Sequence, residues 1–376
     1  MRRRILGVLA IAAFAVWCVF IQANIPLPDR GNDFPAFYTV AKAPWAKIYD
    51  LDYFTRFEHE LRRPWGPHEV QPFPRAPVYA LLLKPFGLFS YHTAVHLWLA
   101  LISAGLVGCA WLVQRLYGGD WSILLWMIGF YPISFALTMG QDTAFVLGPM
   151  LLALFFHRQG RDWLAAFCLS LAFQKFHLLL LVPLALLLHS KRALFWRFAG
   201  WLGFWGALNV SLIGIGGVRD YLDVVGAGVV DRLFVRSWNL RSLAFHFGWD
   251  KAGYIVGAVL VAAWFVWLAR RLRFETAFWA AVGLSLLLAW HSFKYDYALA
   301  FPFFYLLWRE YRVRLASPFL FGGLWVHALA FERQTWIMPP LMVGLSVLLW
   351  WRTRQPGVPR HITSTPAVVG VPEASN

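Results

Sequence analysis

Long apolar runs joined by short basic links restrict the fold of this chain more than any other feature. They lie at residues 5–23, 91–116, 121–138, 143–157, 161–174, 176–189, 193–215, 252–272, 275–291, 296–309, 314–331 and 335–351. About 20 apolar residues cross a bilayer as a helix. The runs therefore predict an all-α polytopic membrane protein with a bundle of about twelve transmembrane helices. Charged residues make up only 14% of the chain, against about 25% in soluble domains. The 22 tryptophans suit long contact with membrane interfaces. Cys18, Cys109 and Cys168 sit inside apolar runs with no paired spacing, which argues against a disulfide framework or a zinc site.

The basic residues give the runs a direction. Arg2, Arg3 and Arg4 precede the first run as in a secretory signal, but its length and the weak cleavage region QANIP favour an uncleaved anchor with a cytoplasmic N-terminus. Alternating from there, the inside links and tails hold 18 Lys and Arg. The short outside links at 139–142, 175, 292–295 and 332–334 hold only Lys175, Lys294 and Arg333. This bias places both termini in the cytoplasm of a cell-membrane protein. The net charge of +15 then belongs to a membrane surface and not to a nucleic-acid interface.

Residues 1–351 read as a single multi-span domain, followed by a disordered cytoplasmic tail at 352–376 rich in Pro, Ser and Thr. Within the domain, 26–90 is a long first extracytoplasmic loop and 216–251 a second, together holding 11 of the 19 acidic residues. PVYALLLKPFGLF at 77–89 is too short for an easy span and reads as an interfacial or re-entrant helix. GIGG at 214–217 reads as a turn that ends a span, not a phosphate cradle.

Polar residues gather on the extracytoplasmic side. Asp33 follows the first span and precedes an amphipathic stretch with Pro35 in its first turn, so it suits either a helix cap or a catalytic carboxylate. TMGQDTAF places Gln141 and Asp142 at one outside link, AFQKFH places Lys175 and His177 at another, and WHSFKYDYAL places His291, Lys294 and Asp296 at a third. Ionisable groups at or inside apolar segments are costly and point to function. The plainer alternatives are snorkelling for Lys175 and Lys294 and helix capping for Gln141 and His177.

The order ND-F, IYD, PFPRAPVYALLLKPFGLF, GQD, a Lys closing a later run and HSFKYDYAL resembles glycosyltransferase family 87, across most of residues 30–310. Those enzymes are polyprenol-phosphate-mannose-dependent mannosyltransferases of the GT-C architecture. The resemblance implies a hexosyltransferase with a GT-C-like bundle, its catalytic carboxylate on the first extracytoplasmic loop, at Asp33. Gln141 matches the family's GQ, with Asp142-Thr143 where an Asn usually follows. Lys175 matches the Lys of a KP pair, with Phe176 replacing the Pro. PRAP stands where a YPP-like sequence is usual, which makes Arg75 a local addition.

The residues fit that chemistry. A carboxylate can take the proton of an attacking hydroxyl, and an anionic lipid-phosphate leaving group needs cations and hydrogen-bond donors. Lys175, His177, Arg75, Gln141, Asp142, His291 and Asp296 are the candidates for binding the donor phosphate and substrate. With no nucleotide-binding motif and an outward-facing site, the partners expected are a polyprenyl-phosphate-sugar donor, a lipid or glycan acceptor and membrane lipids, with no cofactor, metal or nucleic acid. A transporter or lipid flippase, and a non-catalytic lipid-binding subunit, are the competing classes.

Overall fold

The computed structural model describes residues 2–24, 33–61, 72–226, 237–249, 251–320 and 337–355, and these are mostly helical, with no strand. The first helix, α1 (Arg2–Asn24), leads to a compact group of short ones, α2 (Phe34–Lys42), α3 (Leu51–Leu61) and α4 (Pro77–Leu83). Next come α5 (Tyr91–Tyr117), α6 (Ile123–Gly129), α7 (Tyr131–Thr138), α8 (Ala144–Arg158), α9 (Asp162–Ala172) and α10 (Val182–Leu188). The remainder is α11 (Arg192–Gly226), α12 (Leu240–His246), α13 (Lys251–Ala269), α14 (Phe274–Leu288), α15 (Phe301–Arg309), α16 (Ser317–Leu320) and α17 (Met338–Thr353).

Among the described residues, four helices are long and apolar enough to cross a bilayer: Ile5–Ala23 of α1, α5, Arg192–Val225 of α11, and α13. The protein is a membrane protein. Several other apolar runs are broken, and proline supplies the reason. Pro132, Pro183 and Pro302 sit in the first turns of α7, α10 and α15, where a missing N–H costs nothing but the chain behind cannot continue as regular helix. The run at 121–138 is thus split at Phe130, which is extended. The run at 296–309 begins as a 3-10 turn, Lys294–Ala300, before α15 takes over.

The segment at 26–90 is largely helical where it is described. Pro77–Leu83 continues into a 3-10 turn, Lys84–Leu88, with Tyr79, Ala80 and Leu83 buried and Leu81 and Leu82 exposed. Helix α2 is buried from Phe34 to Ala41. In the segment at 216–251, α11 extends to Gly226 through a kink at Gly214 (φ 68°, ψ 176°). The glycine cluster therefore bends a helix instead of ending one. Residues 25–32, 62–71, 227–236 and 321–336, parts of the two long segments and of the eleventh run, lie outside the described residues, as does the tail from 356.

Helix α14 is the core. Every side chain from Thr276 to Leu288 is buried, and it is packed against α10, α13, α15 and α17. Helices α5, α8, α9 and α11 form an adjoining layer in that spatial order. The chain ends that matter chemically are the start of α8, the end of α9 and the stretch after α14, which meet at one end of the bundle.

Candidate active site

Glycine builds the first part of the site. Helix α7 stops at Gly140, whose left-handed backbone (φ 65°) lets the Gln141 amide reach back to the Ala136 carbonyl at 2.8 Å. This is a Schellman closure, for which a residue without Cβ is favoured. The Gly140 carbonyl accepts from Trp98 Nε1 at 2.7 Å, which locks the turn to α5. Gln141 and Asp142 follow immediately, both buried.

Asp33 meets this turn from α2. Its amide donates to the Met139 carbonyl at 2.9 Å. Its side chain makes no capping hydrogen bond to α2, although Pro35 begins that helix as expected. One carboxylate oxygen accepts instead from Gln141 Nε2. The capping alternative for Asp33 therefore fails on geometry.

Arg75 arrives from the non-helical stretch before α4, where Pro77 keeps Ala76 out of the helix (φ −58°, ψ 145°). Its guanidinium forks onto Asp142, Nε to Oδ2 at 3.0 Å and Nη2 to Oδ1 at 3.2 Å, and its carbonyl accepts from the Tyr49 hydroxyl at 2.6 Å. Lys175 arrives from the 3-10 turn Phe173–Leu178 after α9, where its own backbone leaves helical geometry (φ −106°, ψ 51°). Its ammonium lies 2.9 Å from Asp142 Oδ1 and 3.2 Å from Asp296 Oδ1, and donates to Gln141 Oε1 at 3.4 Å. The Tyr295 ring lies 5.6 Å from the Lys175 ammonium. Asp296 also accepts from the Phe293 amide at 2.9 Å, so it is both a turn cap and a partner to Lys175.

Lys175 is 2% exposed and Arg75 7%. Lys175 does not snorkel. Burial opposes both members of the Arg75–Asp142 pair, but their mutual attraction outweighs it. Asp142 raises the guanidinium's pKa further, and Arg75 with Lys175 holds the Asp142 carboxyl well below the usual carboxylate range. The cluster thus matches Arg75 and Lys175 against Asp142 and Asp296, and Gln141 links this neutral core to Asp33.

The histidines form a separate pair beside it. The His177 and His291 rings are 4.4 Å apart, and His291 Nδ1 is buried with no hydrogen-bond partner among the described residues. Lys294 is placed elsewhere, 5.8 Å from the Phe135 ring. The structure therefore brings Asp33, Arg75, Gln141, Asp142, Lys175 and Asp296 into one network and pairs His177 with His291. Sequence reasoning missed Tyr295 and Tyr49. Tyr295 had a signal in its place between Lys294 and Asp296; Tyr49 is part of IYD, but nothing local ties it to Arg75.

Among the described residues no group of three or more His, Cys, Asp or Glu is arranged to hold a metal ion. The carboxylate oxygens of Asp142 and Asp296 are engaged by Arg75, Lys175 and the Phe293 amide. The sequence profile of glycosyltransferase family 87 matches residues 76–291, more than half of the chain. That span holds Gln141, Asp142, Lys175, His177 and His291, while Arg75 and Asp296 lie just beyond it and Asp33 lies well before it. No curated protein and no solved structure matches the chain.

Proposed function

Because the chain belongs to glycosyltransferase family 87, it is a glycosyltransferase, and we propose that it moves mannose from a polyprenyl-phosphate donor to a lipid or glycan acceptor at the extracytoplasmic face of the cell membrane. Asp33 is the base. The acceptor hydroxyl attacks the anomeric carbon, its proton passes to the Asp33 carboxylate, and the bond from that carbon to the phosphate oxygen breaks with its electron pair leaving on polyprenyl phosphate. The observation that carries this reading is the hydrogen bond from Gln141 to Asp33, which turns the carboxylate away from capping α2 and toward the cluster.

The other residues divide by what their charges already do. Lys175 fixes the Gln141 carboxamide by engaging its oxygen, so the amide nitrogen is the end that faces Asp33. Asp142, itself clamped by Arg75, and Asp296 hold Lys175. His177 and His291, whose buried Nδ1 has no hydrogen-bond partner among the described residues, are the groups we assign to the donor phosphate. Lys175 and Arg75 contribute their field from behind matched carboxylates. We propose no divalent metal, since those carboxylate oxygens are taken; sugar transfer that stops in chelator and returns with magnesium would contradict this.

The same reading keeps a GT-C-like bundle of about twelve spans, in which proline-broken helices share crossings, with both termini in the cytoplasm. Cysteines placed at Glu60 and His246 should react with an impermeant reagent in intact cells, and one at Arg270 should not. Reaction only at Arg270 would invert the orientation.

The direct test is to incubate purified protein with polyprenyl-phosphate-mannose and a glycolipid extract of the host, then weigh the lipid products by mass spectrometry. A product heavier by one hexose is expected. Transfer from another polyprenyl-linked sugar alone would correct the donor. No transfer from any such donor by folded protein would overturn the reading. Family membership does not favour the transporter alternative.

A further inference from the structure

A groove of about 670 Å³ runs between α4, α8, α9 and α11, within the range of ligand sites, about 300–1,000 Å³. Its walls include Leu82, Phe145, Pro149, Leu171 and Leu202. The polar side chains along it are mostly turned to one another. Trp205 Nε1 donates to Ser170 Oγ at 2.9 Å, and Asn209 Oδ1 accepts from the Val78 amide at 2.7 Å, tying α11 to α4. What they leave facing the groove is mostly hydrocarbon.

One end of this groove comes near the ion cluster. Ala76 and Gln174 line it and are the chain neighbours of Arg75 and Lys175. Tyr79 lines it as well, and first burial and then the nearby Asp142 carboxylate push the pKa of its hydroxyl upward. At this end Gln174 carries a buried Oε1 with no hydrogen-bond partner among the described residues. A buried acceptor left unmade is costly, and a bilayer acyl chain has no donor to give it. An amphiphile with an apolar chain and a hydroxylated head has both parts.

We infer that the groove takes the isoprenoid chain of the lipid-linked sugar donor and that Gln174 accepts a hydrogen bond from a hydroxyl of the sugar. This rests on the glycosyltransferase reading above for the headgroup, but the chain site can be tested without any transfer. Gly206 lies on the groove and a Cβ there would meet nothing within 4 Å, so Gly206→Phe starts a bulky side chain on the groove with no clash at its Cβ. Gly200, on another face of α11 and equally open, supplies the control Gly200→Phe.

The probe is sugar-free polyprenyl phosphate with a photoreactive group on its chain, cross-linked to the full-length protein and mapped by peptide mass spectrometry. Labelling of α4, α8, α9 or α11 at the groove, lost in Gly206→Phe and kept in Gly200→Phe, is expected. Labelling elsewhere, or labelling erased equally well by excess phospholipid, would overturn the proposal and leave an ordinary lipid-facing surface. With mannosyl donors, wild type should prefer long chains, and Gly206→Phe should lose that preference with KM raised about tenfold, the loss that two buried methylenes carry. A folded Gly206→Phe variant with KM within about twofold of wild type would also overturn it. Gln174→Leu should lower donor kcat/KM by about tenfold or more while leaving sugar-free labelling intact; unchanged kcat/KM would remove the hydroxyl contact. Groove labelling without sugar transfer from any donor would keep the chain site and sink the enzyme reading alone.

Discussion

Helices α8, α9 and α14 carry charged groups at both of their ends, and the two ends are built on opposite terms. At the cluster end, Asp142, Lys175, Asp296 and Arg75 are almost wholly buried; Asp142, Lys175 and Asp296 each touch more than one partner, and Arg75 forks onto Asp142. At the far end Arg158 pairs with Glu275, Arg273 with Glu310, and Arg197 and His157 with Asp162. The Arg158 and Glu275 side chains are 28% and 23% exposed. Water can replace a lost partner there, and such pairs are worth about 0–1 kcal/mol. In the buried cluster nothing replaces a lost partner, and removing one member strands another charge at a cost of about 3–5 kcal/mol. The same ion-pair chemistry is therefore optional at one end and obligatory at the other. The obligatory end is the one that holds the proposed base.

The largest effect should be on catalysis. Asp33→Asn is expected to lower sugar transfer by about 100-fold or more with little change in thermal stability, because Asp33 is half-buried and lies at the edge of the cluster. A folded Asn variant with wild-type turnover would separate the cluster from catalysis altogether. Next come Asp142→Asn and Arg75→Met, which should each cost about 3–5 kcal/mol of stability in detergent, read as a clear fall in Tm. A Tm within a degree of wild type would mean that the cluster is as replaceable as the far end.

A smaller effect separates the two ends by pH. The Asp142 carboxyl lies below its ordinary value in the folded protein, so its contribution is complete above the unfolded pKa of about 3.9 and is lost as pH falls from there toward the folded value. Tm should hold between about pH 7 and pH 5 and drop below about pH 4, and Asp142→Asn should flatten that drop. A loss already finished at pH 5 and abolished by Asp142→Asn would contradict the assignment. The smallest effect belongs to the far end. Glu275→Gln should change stability by no more than about 1 kcal/mol, with the difference shrinking in high salt. A larger loss that ignores salt would erase the contrast.

Much of this was legible in the amino-acid sequence, for stated physical reasons. Apolar runs identify a helical membrane protein because hydropathy alone decides solvation. The gathering of Gln141, Asp142, Lys175 and Asp296 followed from the side on which each run ends. The broken helices were hidden because hydropathy does not register backbone breaks, although Pro132, Pro183 and Pro302 were in view. Lys175 was placed at the lipid interface as a candidate to neutralise the donor phosphate, whereas it is buried between two carboxylates. The Arg75–Asp142 fork joins residues 67 apart in the chain, and no local pattern announces such a contact. Gly140 was legible only as part of a GQ match, and its left-handed backbone supplies the physical reason for it.

The order of the cluster along the chain has a bearing on how the protein is made. The four charges emerge from the ribosome as Arg75, Asp142, Lys175 and Asp296, alternating in sign. Each newcomer after the first therefore finds an opposite charge already synthesised, and the running total never exceeds one unpaired charge. A lone charge buried without its partner is costly. Were Lys175 to precede Asp142, two cations would wait together in the insertion machinery for a partner. The alternation gives each buried charge of the cluster a partner of opposite sign soon after it is made, so that the order of synthesis suits the pairing in the finished site.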